Sequence, residues 1–81
     1  MTSMYPGQEI ASRFRAAVLP CLRGDSRELV DEWIDEVGEY GIAVGECLAV
    51  AAANRVSIDP DLIADARREG FSIPHQAGEA A

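Results

Sequence analysis

The chain has 81 residues, which is enough for one small domain with a thin hydrophobic core. Hydrophobic residues make up 48% of it and charged residues 26%, proportions typical of a globular protein rather than of a disordered segment. The chain contains fourteen acidic residues and only seven basic ones, all of them arginines. Proteins that bind phosphate groups need clustered cations. The net charge of −7 therefore argues against a protein that binds nucleic acid or an anionic membrane surface.

Export and membrane insertion are both disfavoured by the sequence. Residues 1–10 lack the basic and apolar regions of a secretory signal. The longest apolar stretch, residues 41–53, is interrupted by Glu46 and is too short to span a bilayer. We therefore expect a cytoplasmic protein with no membrane partner.

Side chains suited to catalysis or metal binding are sparse. The single histidine, His75, lies near the carboxyl terminus, so no base is well placed to activate a cysteine or a serine. Cys21 and Cys47 are too few for a disulfide framework, and one distant histidine does not complete a zinc site. We expect both cysteines to be small buried apolar residues. The sequence predicts no enzyme activity, no cofactor and no metal.

The first predicted helix covers residues 6–23. Proline at position 6 suits the first turn of a helix, because its missing N–H would have no partner there. An apolar stripe follows at spacings of three and four residues and consists of Ile10, Phe14, Ala17, Val18 and Cys21. We expect Pro20 to kink or end this helix and Gly24 to terminate it.

The second predicted helix begins with Asp25 or Ser26 as its N-cap and is the most regular amphipathic segment of the chain. Its apolar face consists of Leu29, Val30, Trp33, Ile34 and Val37. Its opposite face, here called the acidic stripe, consists of Glu28, Asp31, Glu32, Asp35, Glu36 and Glu39.

The negative charge of the chain is concentrated around this stripe. Residues 25–46 contain eight acidic residues and one arginine, whereas acids and arginines balance in the rest of the chain. Like charges four residues apart cost a helix about 0.2–0.5 kcal/mol per pair. Two interpretations account for the stripe: it meets a basic partner, or it is a solvated face that keeps the protein dissolved.

The third predicted helix follows Gly41 and ends near Asn54. It has almost no polar face, which predicts a central helix covered by neighbours on several sides. Glu46 is its only charged residue. We expect this glutamate either to lie partly exposed at the edge of the bundle or to make a contact or a buried hydrogen bond.

The fourth predicted helix has the clearest beginning, with Asp59 as N-cap and proline at position 60. Three residues are expected to face the core: Leu62, Ile63 and Ala66. Gly70 is expected at the C′ position, with Phe71 folded back on the last turn. A loose tail is expected over residues 75–81. The chain is thus predicted to be a single domain, residues 1–81, with an all-α fold: a compact bundle of about four short helices.

One short motif resembles acyl carrier proteins, which are also small, acidic and helical. Gly24, Asp25 and Ser26 precede an acidic helix, as does the serine that bears phosphopantetheine in that family. Here Arg27 replaces the usual leucine, and the long loop before the carrier serine is missing. An ordinary N-cap also accounts for the motif, so a carrier function with Ser26 modified is kept as an alternative.

A stronger resemblance covers residues 28–73. It begins with ELVDEWIDEVGEYGIAVGECL, in which an apolar-acidic helix ends in a Val-Gly-Glu-Tyr-Gly motif at residues 37–41, followed by Ile42, Ala43 and Val44. The segment SIDPDLIADAR then begins a later helix. This pattern resembles the MafI-type immunity proteins of bacterial polymorphic toxin systems. The resemblance implies a small, helical, cytoplasmic protein that neutralises a cognate toxin domain, often a nuclease, by binding it.

The residues by themselves favour a compatible function. An acidic stripe without catalytic groups suits a protein that meets a basic partner, and a nuclease carries a cationic cleft for phosphates. We predict that the six acids of the stripe and Tyr40 make the partner contacts, and that Trp33 belongs to the core. A small helical adaptor subunit is a further alternative, and the oligomeric state is left open by the sequence.

Overall fold

The computed structural model describes residues 5–74, and within that range the chain forms four α-helices and no strand. They are α1 (Pro6–Val18), α2 (Gly24–Glu32), α3 (Tyr40–Ala53) and α4 (Pro60–Arg68). A 3₁₀ turn, Leu19–Cys21, follows α1, and a π-helical turn, Trp33–Val37, continues α2. The predicted all-α bundle of short helices is confirmed. The tail predicted over residues 75–81 lies outside the described residues.

Helix α1 lies against the other helices along one row of side chains. Ile10, Phe14 and Val18 are buried as predicted, and Ala11 is buried beside them. The predicted stripe is wrong at Ala17, which is exposed, because this position lies on the solvent side of the row. The α-helix ends at residue 18, and Pro20 lies in the 3₁₀ turn that follows, in agreement with the expected interruption.

Helix α2 begins without a side-chain cap, so the predicted cap at Asp25 or Ser26 is wrong. The N-cap residue is Arg23, and Gly24 is already the first residue of the helix rather than a terminator of the preceding one. Gly24 has a φ of +56°, a left-handed conformation that glycine adopts at little cost. The glycine therefore makes the turn into α2, which leaves the Ser26 hydroxyl available for a contact elsewhere.

The apolar face predicted for the second helix is only partly buried. Val30 and Ile34 are buried and Trp33 is half-buried, whereas Leu29 is 42% exposed and Val37 is 55% exposed. The π-helical turn contributes to the exposure of Val37, because its wider winding changes the register of the side chains within it. Gly38, with a φ of +81°, ends the turn by donating its N–H to the carbonyl oxygen of Trp33 at 2.9 Å.

Helix α3 supplies the middle of the core but is covered on one side only. Its buried residues are Ala43, Val44, Cys47 and Ala51. The expectation that neighbours cover it on several sides is wrong for the opposite face, whose exposed residues are Gly41, Ile42, Gly45, Ala49, Ala52 and Ala53. The helix packs against α1, α2 and the π-helical turn, and within residues 5–74 no other element covers the remaining face closely.

Helix α4 agrees with its prediction at both ends. The Asp59 side chain accepts a hydrogen bond of 2.9 Å from the N–H of Asp61, and the three residues expected to face the core are buried. Gly70 has a φ of +96°, and the N–H of Phe71 donates to the carbonyl oxygen of Ala66 at 3.0 Å. This helix packs on α1, so α1 contacts all three other helices or their extensions.

None of the helices within residues 5–74 combines the length and the apolar character that crossing a bilayer would need.

Candidate partner-binding surface

Two members of the acidic stripe are held by an arginine of α1. Arg15 Nη1 lies 3.0 Å from Asp31 Oδ1 and 3.0 Å from Asp35 Oδ2, and its Nη2 donates to Asp35 Oδ1 at 3.3 Å. The Arg15 side chain is only 22% exposed, and its hydrogen bond to Asp35 is the main cause that raises the pKa of this guanidinium. Arg15 therefore joins α1 to α2 and to its π-helical extension, and its single positive charge offsets one of the two aspartate charges.

The four glutamates of the stripe are arranged differently. All are exposed, and within residues 5–74 none takes part in an ion pair or a side-chain hydrogen bond. We call this set the glutamate row; it consists of Glu28, Glu32, Glu36 and Glu39. The predicted stripe thus separates into two paired aspartates, which hold α1 against α2 and its extension, and four unpaired glutamates, which face solvent.

Tyr40, the predicted aromatic contact, is half-buried at the beginning of α3. A Cβ atom built on Gly7 would lie 2.9 Å from Tyr40 Cδ2, which is closer than Cβ atoms approach other side chains in real proteins. A Cβ atom built on Gly38 would lie 3.7 Å from the hydroxyl oxygen of Tyr40, an ordinary contact. The absence of a side chain at Gly7 therefore lets the tyrosine ring lie directly against the first turn of α1.

The exposed part of Tyr40 faces an open groove of about 580 Å³ at one end of the bundle. Three segments that are distant in sequence form this terminal groove: the first turn of α1, residues 38–42 with Val44, and residues 69–72 after α4. Glu39 and Glu69 both line it, and Phe71 supplies a second half-buried aromatic ring. Its volume is in the range of about 300–1,000 Å³ that is usual for small-molecule sites, although the groove is much more open.

Sequence reasoning predicted only Glu39 and Tyr40 as site residues and missed the rest of the lining, including Gly7, Glu69 and Phe71. Gly7 carries no side chain that could signal a site, and the spacing predicts Phe71 only as a residue folded back on the last turn of α4. The useful signal in the sequence is the pair of glycines, Gly38 and Gly41, that flanks Glu39 and Tyr40. Glu39 and Tyr40 are therefore the two predicted site residues that the fold brings to the groove.

The arginines nearest the groove end of α4 are engaged in contacts within the chain. Asp65 accepts from Arg13 Nη1 at 3.0 Å and from Arg68 Nη1 at 2.9 Å, and the hydrogen bond from Arg13 is the main cause that lowers the pKa of Asp65. Arg67 donates to the carbonyl oxygen of Pro74 at 3.0 Å. The Arg13 contact secures α4 to α1, and none of the three arginines belongs to the described lining of the groove, which contains no basic residue.

The two cysteines are free thiols. Cys47 is fully buried in α3, and burial raises the pKa of its thiol to about 11, with the nearby Glu46 carboxylate as a smaller cause. Cys21 is half-buried, so the expectation of two buried cysteines is wrong in part. Within residues 5–74, no group of three or more histidine, cysteine, aspartate or glutamate side chains is placed to hold a metal ion.

Comparison of the sequence with protein-family models and curated proteins, and of the fold with solved structures, gave no match. The resemblance to the MafI-type immunity proteins therefore rests on the sequence pattern alone.

Proposed function

We propose that this protein is an immunity protein that acts in the cytoplasm by binding a cognate toxin domain and blocking its activity. The supporting observation is the glutamate row, whose four exposed carboxylates have no partner among the described residues. One of the four, Glu39, also lines the groove beside Tyr40. The resemblance of residues 28–73 to immunity proteins supports the same proposal. No catalytic step and no cofactor belongs to it, because stoichiometric association is sufficient for inhibition.

The toxin domain best suited to this surface is a basic one, such as a nuclease. Its cationic cleft attracts carboxylates over a distance of about 8 Å at physiological salt, the Debye length under those conditions. This attraction raises the rate of encounter, whereas the strength of the complex depends on a few side chains that lose contact with water. The glutamate row is suited to the first task, and the half-buried Tyr40 to the second.

The test is co-expression with the toxin domain encoded beside the gene for this protein. We expect growth to be restored by the intact chain and a 1:1 complex to be observed by isothermal titration calorimetry. The absence of a toxic product from the neighbouring gene, or toxicity that this protein leaves unchanged, would contradict the proposal.

The glutamate row is tested by a charge-matched pair of variants. Glu28→Gln/Glu32→Gln removes two exposed carboxylates from the row, and Glu9→Gln/Asp61→Asn removes two exposed carboxylates from the amino ends of α1 and α4. We expect the first variant to slow association about three- to tenfold at low salt, with little difference at high salt. The second variant should slow association much less. It changes the net charge by the same amount, but the carboxylates it removes lie outside the glutamate row.

Asp31 and Asp35 are unsuitable for this test, although they belong to the predicted stripe. Their carboxylates bind Arg15, so replacing them would disturb the contact between α1 and α2 as well as the surface charge. Equal association rates for the two matched variants would place the partner contacts away from the glutamate row.

A further inference from the structure

We infer that the terminal groove receives an anchor segment of the partner protein in which a lysine or arginine lies next to a bulky apolar side chain. The identity of the partner rests on the function proposed above. The chemistry of the anchor is argued from the shape, the charge and the position of the groove.

The shape of the groove fits a side chain with an apolar body. The rings of Tyr40 and Phe71 are half-buried in its lining, and Ile42, also in the lining, is 51% exposed. Gly41 and Gly70 contribute backbone without side chains. Aromatic and aliphatic surfaces of this kind gain most when an apolar side chain removes them from water, which is the usual environment of an interface hot spot.

The charge of the groove selects a cation. Glu39 and Glu69 lie in its lining and are exposed, and no basic residue accompanies them there. The amino ends of α1 and α3 and the carboxyl end of α4 also meet at the groove. Each amino end carries a partial charge of about +0.5 and the carboxyl end one of about −0.5, so the three helix ends together contribute about +0.5. This is too small to offset the two carboxylate charges. The groove therefore remains negative and favours an ammonium or guanidinium group.

The position of the groove links it to the glutamate row, because Glu39 belongs to both. A basic partner that contacts Glu39 would therefore touch the row and the groove together. The carboxyl-terminal residues 75–81 are less suited as occupant by composition, because they contain one glutamate and neither lysine nor arginine.

The first test is a nuclear magnetic resonance titration of the full ¹⁵N-labelled chain with acetyl-Arg-Leu-amide and, as the matched probe, acetyl-Glu-Leu-amide. We expect saturable shifts at the amides of Tyr40, Gly41, Gly70 and Phe71 with the arginine peptide. Binding of the glutamate peptide should be at least about fivefold weaker, since one charge contact in water changes affinity by about that factor.

Three outcomes of the titration would overturn the inference. The first is equal binding of the two peptides, or shifts confined to other parts of the surface. The second is a groove already filled by residues 75–81, seen as nuclear Overhauser contacts to Phe71 without a peptide. The third is a groove filled by a second copy, seen as shifts that depend on protein concentration alone.

The second test separates the groove from the proposed function by using the toxin complex. Glu39→Gln/Glu69→Gln removes the groove carboxylates, and Glu28→Gln/Glu32→Gln is the control of equal charge; circular dichroism checks the fold of both. We expect the groove variant to speed dissociation about tenfold or more and the control to affect mainly association. If the toxin is neutralised but the groove variant dissociates at the original rate, the inference fails and the function stands. If the arginine peptide binds but no toxin does, the groove chemistry stands and the immunity function fails.

Discussion

The Ser26 hydroxyl donates a hydrogen bond of 2.8 Å to Oε2 of Glu46 and so joins the first turn of α2 to the middle of α3. Both residues are half-buried. The contact gives Glu46 the hydrogen-bonding role that was one of its two predicted alternatives. It also shows that Ser26, whose hydroxyl would have to be free to carry phosphopantetheine, is used in packing two helices.

The first prediction concerns this serine. We expect the intact mass of the protein to be unchanged after incubation with coenzyme A and a phosphopantetheinyl transferase, because the hydroxyl is half-buried and bonded. An acyl carrier protein in the same reaction is the positive control. A gain of one phosphopantetheine mass that disappears in Ser26→Ala would revive the carrier alternative.

The second prediction concerns Arg15, whose side chain binds two aspartates of α2 and its extension. Arg15→Gln should lower the free energy of unfolding by about 1–2 kcal/mol. The loss is smaller than for a fully buried ion pair, because the side chains of both aspartates are about half exposed to water. Arg27→Gln is the matched control: this arginine is 57% exposed and lies 3.9 Å from Asp31, so the loss should stay below about 0.5 kcal/mol. Urea denaturation measures both, and equal losses would mean that Arg15 does not secure α2.

The third prediction compares two glycines. Gly7→Ala should lower the free energy of unfolding by about 1–2 kcal/mol, because the new Cβ would lie 2.9 Å from Tyr40 and force the ring to shift. Gly45→Ala should raise it by about 0.5–1 kcal/mol, because this exposed position of α3 has nothing within 4 Å and alanine favours a helix. Thermal denaturation measures both. Stabilisation by both variants would show that Tyr40 moves away at little cost.

The fourth prediction concerns pH. The folded chain holds the Cys47 proton more tightly than the unfolded chain does, since burial raises the thiol pKa from 9.0 to about 11. The contribution of this thiol to stability is therefore complete below about pH 9 and falls as the pH rises towards 11. The difference in unfolding free energy between the original chain and Cys47→Ala should shrink over this interval by up to about 2 kcal/mol.

Urea denaturation at several pH values between about 8 and 11 measures this difference, and Cys21→Ala is the control for the loss of a thiol as such. A difference between the original chain and Cys47→Ala that stays constant over the whole interval would show that the Cys47 thiol ionises as readily in the folded chain as in the unfolded one.

The parts of the fold that follow from local chemistry could be predicted from the sequence. Pro6, Asp59 and Gly70 mark helix ends through their own backbone or side-chain preferences, and all three are placed as expected. The cap of α2 could not be predicted, because Gly24 makes the turn by its backbone and Ser26 bonds to a residue on another helix.

For the candidate surface, too, the features set by local sequence could be predicted, and the features set by tertiary packing could not. Helical spacing was sufficient to place the acidic residues on one segment. It could not show that Arg15 pairs with Asp31 and Asp35, because that choice depends on how α1 packs against α2. The terminal groove could not be predicted either, since Gly7, Tyr40 and Phe71 come together only through the tertiary fold.

The π-helical turn has a practical consequence. It places Trp33, the only tryptophan of the chain, half-buried against the core and within the same segment as Glu36 of the glutamate row. Indole emission changes when the polarity around the ring changes, so unfolding should shift its wavelength, and a partner covering this segment should alter its intensity. The protein thus contains its own optical reporter, with which folding and docking can both be followed without a dye.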